Sequence, residues 1–372
     1  MKSNYRALSE LIEKVDERND DGAITELIGV SIDKCFIKSV ANTNGTDLSK
    51  YKIIRKNEFA VSLMQVSRDS KIPVARLEDY EVAIMSPAYP IFRVKDTRKI
   101  LPEYLDMWFK RPEFDREAAF IAVGGVRGSM PWEEFVKMKL PVPTIEKQLE
   151  IVNSYKAITE RIALKQKIND NLLDSVQAIF RSWFVDYDPF DGVCPSNWET
   201  GFVEDIAEFF DSMRKPLSSL ERTDMERIYP YYGAVSIVDY VDDYIFDGEY
   251  LLVSEDGIYV VDENGHPLIQ HISGKFWANN HAHILKGKSG FNEDSLYLFL
   301  ANTNMAPIVT GAAQPKINQA NLKSFPITIP DSETMLKFNN IIQPFFDQRL
   351  TNESEIKKLE ALQSLLLTRL VD

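Results

Sequence analysis

All four histidines of the chain, His266, His271, His281 and His283, fall in one short stretch. Gathered imidazoles can ligate a metal, contact bases or phosphates, or simply fill a core. A zinc site takes three or four ligands at suitable spacing, and Cys35 and Cys194 both lie far away. The neighbours Lys275, Trp277, Asn279 and Asn280 offer donors and a stacking ring suited to nucleic acid, with structural placement alone as the plain alternative. Gly311-Ala-Ala-Gln-Pro-Lys316 has the lysine of a phosphate loop but lacks its second glycine. Gly124-Gly125-Val126-Arg127-Gly128 is not a dinucleotide fingerprint. It reads as a flexible turn presenting Arg127, or as a turn without a ligand. No G-x-S-x-G elbow and no H-E-x-x-H helix occurs. A self-sufficient enzyme is disfavoured, and a recognition role is left.

The elements that must position these residues occur twice. Met138-Lys-Leu-Pro141-Val-Pro143 leads into a helical stretch from about Glu146 to Asp186, and Lys323-Ser-Phe-Pro326-Ile-Thr328 leads into another from about Ser332 onward. Pro141 and Pro326 stand 185 residues apart, half the length of the 372-residue chain. A duplicated unit is expected, because solenoid periods are far shorter. Each unit has a strand-rich part, about Leu27 to Val142 and about Trp198 to Ile329, with a short helical patch at Pro102 to Phe109 and at Asn292 to Leu300. The expected segments are a first recognition domain (1–145), a spacer helix (146–190), a second recognition domain (191–330) and a second spacer helix (331–372). Asp188-Pro-Phe-Asp191 reads as a helix-terminating linker.

The long stretches carry a heptad seam. In the first it runs through Ile151, Tyr155, Ile158, Ile162, Leu172, Val176, Ile179 and Trp183, interrupted by Lys165 and Asn169. In the second it runs through Phe338, Ile342, Phe345, Ile356, Leu359, Leu366 and Leu370, interrupted by Arg349, Asn352 and Gln363. Lys165 and Asn352 fall at one seam step, and a polar seam residue fixes register. Pro344 is expected to disturb an early turn. The expected fold class is α+β: two globular domains separated by two long, antiparallel, coiled-coil-like helices, duplicated about a pseudo-two-fold. Two helices packed separately on their own domains are the plainer alternative. About 35 residues at 1.5 Å each make a rod of roughly 50 Å, longer than the 34–36 Å of one duplex turn.

Composition fits a globular protein, with 44% hydrophobic and 27% charged residues. No apolar run reaches the ~18 residues of a membrane span, and charges rather than an apolar segment follow Met1. Two distant thiols make no disulfide framework, so a cytoplasmic location is expected. The net charge of -13 weighs against nonspecific nucleic-acid binding. Its excess is local, because residues 191–330 hold 9 basic against 20 acidic groups, while 1–145 hold 23 against 22. A narrow basic reading face and an acidic back are expected of the second domain.

Several segments resemble the specificity subunits of Type I restriction-modification systems. Leu140–Val152 is similar to the start of that family's central conserved region and Arg181–Phe190 to its end. Cys194–Trp198 with Val203–Ile206 resembles the opening of its second recognition domain, and Gly311–Gln319 its closing motif. Gly29–Lys34, Ser86–Tyr89 and Gly125–Gly128 resemble a recurrent first recognition domain. The resemblance covers essentially the whole chain. It implies a non-catalytic chain reading a split target on double-stranded DNA. Two methyltransferase (modification) subunits would dock on the conserved helices, bind S-adenosylmethionine and methylate adenine N6. Restriction/translocase subunits would supply ATP- and Mg-dependent translocation and cleavage. No cofactor, metal or membrane is implied for this chain. Partner contacts carry over to the first helix start, where Gln148 stands. Pro330–Lys337 has no matching glutamine, so the carry-over is firmer for the first helix than for the second, and the N-terminus before Leu27 lacks a tryptophan like Trp198.

Specific reading uses bidentate donors on bases, with cations on phosphates. The expected DNA contacts are Lys50, Lys52, Arg55, Lys56, Arg68, Lys71 and Arg127 in the first domain. In the second they are Lys275, Asn279, Asn280, His281, Gln314, Lys316 and Asn318. Solvated surface charge is the alternative for each. A coiled-coil scaffold or defence-system regulator without sequence reading, and a stand-alone DNA-modifying enzyme, are the rival functions.

Overall fold

The computed structural model describes residues 4–39, 47–64, 66–123, 128–257, 260–311 and 313–371. The chain forms two compact units, Met1–Lys165 with Glu355–Asp372, and Gln166–Ser354. Among the described residues no helix is long and apolar enough to cross a membrane.

Unit 1 begins with β1 (Tyr5–Ala7), the single turn α1 (Leu8–Leu11) and β2 (Ile12–Val15). β1 pairs antiparallel with β10 (Lys139–Pro141), Arg6 standing opposite Leu140. The strand-rich part thus starts at Tyr5 and not at Leu27. Three residues are too few to signal a strand locally, and this one exists through a partner far along the chain. Between β1 and β10 lie β3 (Ile28–Val30), β4 (Phe36–Lys38), β5 (Lys52–Arg55), β6 (Phe59–Val61), α2 (Val66–Asp69), β7 (Val74–Arg76), β8 (Val82–Met85) and β9 (Ile91–Val94). The helices α3 (Pro102–Phe109), α4 (Pro112–Ile121) and α5 (Trp132–Phe135) follow. Strands β2-β9-β6-β7 form one antiparallel sheet, while β3–β4 and β5–β8 are separate pairs. Pro102 and Pro112 open their helices at the first turn, where a missing N–H costs nothing. Phe109 of α3 turns its ring onto the sheet, and Phe114 of α4 packs on Phe109 at 5.0 Å. Phe59 stacks on Phe92 at 5.2 Å, and Phe109 meets both rings edge-on. These rings are fully buried, each contributing about 1.5–3 kcal/mol.

Unit 2 repeats the opening with β11 (Glu199–Phe202), α7 (Val203–Ile206) and β12 (Ala207–Phe209), and closes with β18 (Pro326–Ile329) antiparallel to β11. In both repeats a carboxylate in the short helix accepts the N–H that precedes it, Glu10 from Ala7 at 3.1 Å and Asp205 from Phe202 at 2.8 Å. Gly201 faces Ile327 as Arg6 faces Leu140, so the repeat offset at the closing strands is 187. Pro141 therefore corresponds to Thr328, and the prolines 185 apart are not equivalent. A six-stranded sheet fills this unit in the order β12-β17-β15-β16-β13-β14. Its other strands are β13 (Tyr229–Tyr232), β14 (Ile237–Val241), β15 (Phe246–Ser254), β16 (Ile269–Ala278) and β17 (Ala282–Gly287). The short helices are α8 (Ser219–Thr223), α9 (Glu293–Ala301) and α10 (Gln319–Lys323).

Two long helices, α6 (Ile145–Phe184) and α11 (Ser332–Thr368), each contribute turns to both units. Within unit 1, Gln363 donates to Thr159 at 2.8 Å and Glu355 meets Lys165 and Arg161, so the helices run antiparallel. Within unit 2, Asn352 donates to Asn169 at 2.8 Å, and Phe338 packs on Trp183 and Phe180. The architecture is α+β, with two globular domains and a pair of long antiparallel helices built from one duplicated plan. α11 continues through Pro344 without a break. Pro344 and Asn340 lie on the exposed face, where water can satisfy the carbonyl that loses its N–H partner.

Candidate nucleic-acid interface

The 187-residue offset brings together two loops that share little sequence. Met130 donates its N–H to the Leu63 carbonyl at 2.8 Å just before α5, and Ile317 donates to the Glu255 carbonyl at 2.9 Å just before α10. Met130 and Ile317 therefore occupy the same place in the two repeats. Residues 124–127, Arg127 among them, lie outside the described residues. Applying the helix offset of 187 to the loops would have paired Gly124 with Gly311 and Arg127 with Gln314.

The second loop is a tight hairpin. Thr310 and Lys316 exchange backbone hydrogen bonds at 2.8 Å in both directions. Gly311 has φ +84°, and a Cβ there would stand 2.4 Å from the Gln314 carbonyl, so only glycine fits. Gln314 is exposed at the tip. Lys316 Nζ lies 2.8 Å from Glu255 and its side chain is 44% exposed. Asn318 caps α10 by accepting the Asn321 N–H at 2.8 Å, which commits its oxygen and leaves its amide nitrogen as the available group.

The β16–β17 turn carries the other expected contacts. Asn280 is exposed at the tip. His281 is half exposed, with Nδ1 2.6 Å from Asp256. Lys275 is exposed with its ammonium 4.4 Å from the Tyr244 ring centre. Asn279 is buried, its carbonyl oxygen accepting the His281 N–H at 2.9 Å. It shapes the turn and is removed from the contact set.

In unit 1, Lys50, Arg55, Lys56, Arg68 and Lys71 are exposed. They pair with Asp47, Glu17, Glu81, Asp69 and Asp33 respectively. Exposed pairs of this kind are worth about 0–1 kcal/mol, little enough for a phosphate to displace them. Lys52 is the exception. It is 6% exposed, and its ammonium reaches the Tyr89 carbonyl at 3.1 Å and Asp16 at 3.4 Å. It ties down the Ser86–Tyr89 turn and has no face to offer DNA. A second lysine is buried to a similar extent. Lys34, at φ +61° in the β3–β4 turn, sits 2.8 Å from Asp115 and donates to the Phe109 carbonyl. Burial, partly offset by Asp115, holds its pKa below the usual lysine value.

The four histidines do not converge. Each meets a different carboxylate: His266 with Asp262, His271 with Asp294, His281 with Asp256 and His283 with Asp211. Asp211, Glu255 and His283 are the one group among the described residues whose ligand atoms gather within 4.8 Å. Their lone pairs are already used. Arg214 lies 3.4 Å from Asp211 and 2.5 Å from Glu255, and Lys316 holds the other Glu255 oxygen. Two resident cations make this an ion lattice that would repel a metal. Burial acts to raise the pKa of both carboxyls, but the hydrogen bonds and charges of these partners leave both below their ordinary values.

Every seam position of the two helices is buried or half-buried, including Lys165, Asn169, Arg349, Asn352 and Gln363. Gln148 is also fully buried. Its amide accepts the Leu101 N–H and donates to the Lys99 and Pro143 carbonyls, all at 2.8–2.9 Å. This glutamine joins the starts of α3 and α6 inside unit 1. The glutamine that marks the first helix start thus has a structural role within unit 1. Its repeat equivalent, Met335, fills the same position by apolar burial.

Residues 195–362 match the family model for the Type I restriction modification DNA specificity domain. A type I restriction enzyme specificity subunit of Haemophilus influenzae is 39% identical over 128 residues, 34% of this chain and 32% of that protein. The chain thus spans about a third of the length of that relative. The MjaIX specificity subunit of Methanocaldococcus jannaschii is 22% identical over 297 residues, 73% of this chain and 68% of that one. The crystal structure of an S subunit from M. genitalium shares the fold, with a TM-score of 0.57 at 14% identity over 100% of this chain and 97% of that one. Fold and site define a class of duplicated α+β proteins with two long helices and a loop closing each domain. What the comparisons assign is a Type I restriction modification DNA specificity domain over residues 195–362.

Proposed function

We propose that this chain is the sequence-reading, non-catalytic component of a Type I restriction-modification assembly. It reads a bipartite target on double-stranded DNA and directs adenine N6 methylation or cleavage by partner subunits. The observation that carries this reading is the repetition of one plan at the 187-residue offset, with the strand pairs and the backbone anchors of Met130 and Ile317 at matching places in the two domains. Two copies of one reading device suit a target in two halves. Residues 1–145 and 191–330 act as the recognition domains, and 146–190 and 331–372 as the helices that set the gap and receive two modification subunits. The proposed contacts are Lys50, Arg55, Lys56, Arg68, Lys71, Arg127, Lys275, Asn280, His281, Gln314, Lys316 and Asn318.

The domain at 191–330 has little to hold phosphates with. Seven of its nine cations are already engaged: Arg214, Arg222, Arg227 and Lys316 with carboxylates, and Lys275, Lys286 and Lys323 over aromatic rings. Partner subunits would then supply much of the backbone grip, and S-adenosylmethionine, ATP and Mg would be theirs.

The test is to map N6-methyladenine in cells making the chain with its neighbouring modification gene. A bipartite motif that appears only with both proteins is expected. Methylation without a sequence motif would favour a scaffold, and modification by the purified chain alone would favour an enzyme. Either result overturns the reading.

A further inference from the structure

The base of the Gly311–Ile317 loop rests on a buried lattice that only Lys316 of the proposed contacts joins. His283, on β17, is 0% exposed and both its ring nitrogens face oxygen. Nε2 donates to the Ile317 carbonyl at 2.8 Å, since a carbonyl can only accept, and Nδ1 stands 2.6 Å from Asp211 Oδ2. Asp211 is fixed in turn, because its other oxygen accepts the Ile284 N–H at 2.9 Å. Ile317 is therefore gripped at its carbonyl by His283 and at its N–H by the Glu255 carbonyl. One residue earlier, Lys316 is drawn to the Glu255 carboxylate, which Arg214 holds from the other side. All these anchors act on residues 316 and 317, at the base of the hairpin. Gln314 projects from the tip.

An apolar contact would bury this loop as well, but without fixing its direction. Hydrogen bonds are directional, and a buried polar group that loses its partner costs about 1–3 kcal/mol. The lattice therefore permits few orientations of the hairpin. We propose that Asp211 and His283 are positioning residues for DNA recognition, aiming the loop so that Gln314 and Lys316 meet their half of the target. The inference rests on the DNA-reading function proposed above.

The experiment uses the full chain produced with its modification subunits, comparing wild type, Gln314→Ala, Asp211→Asn and His283→Gln. N6-methyladenine mapping is read alongside thermal unfolding. Gln314→Ala touches no anchor and identifies the bases that the loop reads. Asp211→Asn and His283→Gln are expected to relax those same bases, with about a tenfold loss of discrimination there and the other half of the motif unchanged. His283→Gln keeps an amide that can donate to Ile317, which guards against loss of fold in Asp211→Asn. Three results would overturn the proposal: an unchanged motif in folded variants, equal relaxation of both halves, or relaxation at bases that Gln314→Ala leaves intact. A wild-type chain giving no bipartite motif would instead overturn the underlying reading.

Discussion

Asp294 and His271 face each other at 3.6 Å in unit 2. Burial, aided by the acids Glu249, Asp347 and Glu293, pushes the Asp294 carboxyl up to about 7. Burial, with the nearby charge of Arg349, pulls the His271 imidazole down to about 4. Between pH 4 and 6.5 the folded pair is therefore neutral on both sides, whereas in the unfolded chain both groups are charged. Each state then holds one proton across the two groups, so together they give stability no pH slope. Substitution separates the terms. Asp294 has its folded pKa above the unfolded one, so its contribution is full below pH 3.8 and gone above about 7. That span corresponds to about 4 kcal/mol. Asp294→Asn, a mimic of the neutral acid, should match wild type near pH 4 and exceed it by about 4 kcal/mol at pH 8. Asp294 lies in the first turn of α9, where the helix dipole favours the ionised form by about 0.3–1 kcal/mol, too little to reverse the sign. His271 runs the other way, its contribution full above 6.5 and lost by about pH 4. His271→Gln should gain about 3 kcal/mol at pH 4 and nothing at pH 8. Urea unfolding of the full chain, following the transition of unit 2 from pH 4 to 8, measures both differences. A gain from Asp294→Asn that is absent at pH 8, or equal at every pH, would refute the assignment of the proton to burial.

Three further outcomes are expected. Lys34→Met leaves Asp115 buried without its cation and should cost unit 1 about 3–5 kcal/mol; pairing it with Asp115→Asn should recover much of that loss in thermal unfolding. Replacing Asn169 and Asn352 together by leucine should raise the melting temperature while loosening helix register, read as methylated motifs with more than one gap length. Because 191–330 holds only nine cations and the Lys316 side chain, though paired with Glu255, is 44% exposed, Lys316→Ala should flatten the salt dependence of DNA binding by about one unit of log–log slope, with about 0.9 expected per phosphate contact. No change of slope would remove Lys316 from the phosphate contacts.

The helices were readable because their signal is local and repeated. A seam of threes and fours survives two polar steps, and the short helix Pro102–Phe109 announces itself by its leading proline. Strand β1 was hidden because Tyr5–Ala7 is made a strand by Lys139–Pro141. The histidines looked like a cluster because they are neighbours in sequence. β-strand alternation and two turns send them to four separate carboxylates. Lys52 and Asn279 looked like donors at turn-rich sites, and nothing in their neighbours says that the polar end folds inward. The equivalence of Met130 and Ile317 was legible in principle at the helix offset, but of the residues leading to them only the glycine at Gly124 and Gly311 is shared, too little for a motif.

The strand pairs β1–β10 and β11–β18 set where each domain joins the chain. Because Ala7 lies against Lys139, and Phe202 against Pro326, the 131 residues from Leu8 to Met138, or the 123 from Val203 to Phe325, leave and rejoin a common doorway. A segment whose ends already meet adds little closure entropy when its length changes. It can be exchanged for another of different size while the long helices keep their sequence. Each segment is thus an interchangeable cassette, and if the chain reads DNA as proposed, a new cassette in one socket would rewrite one half of the target and leave the other half as it was.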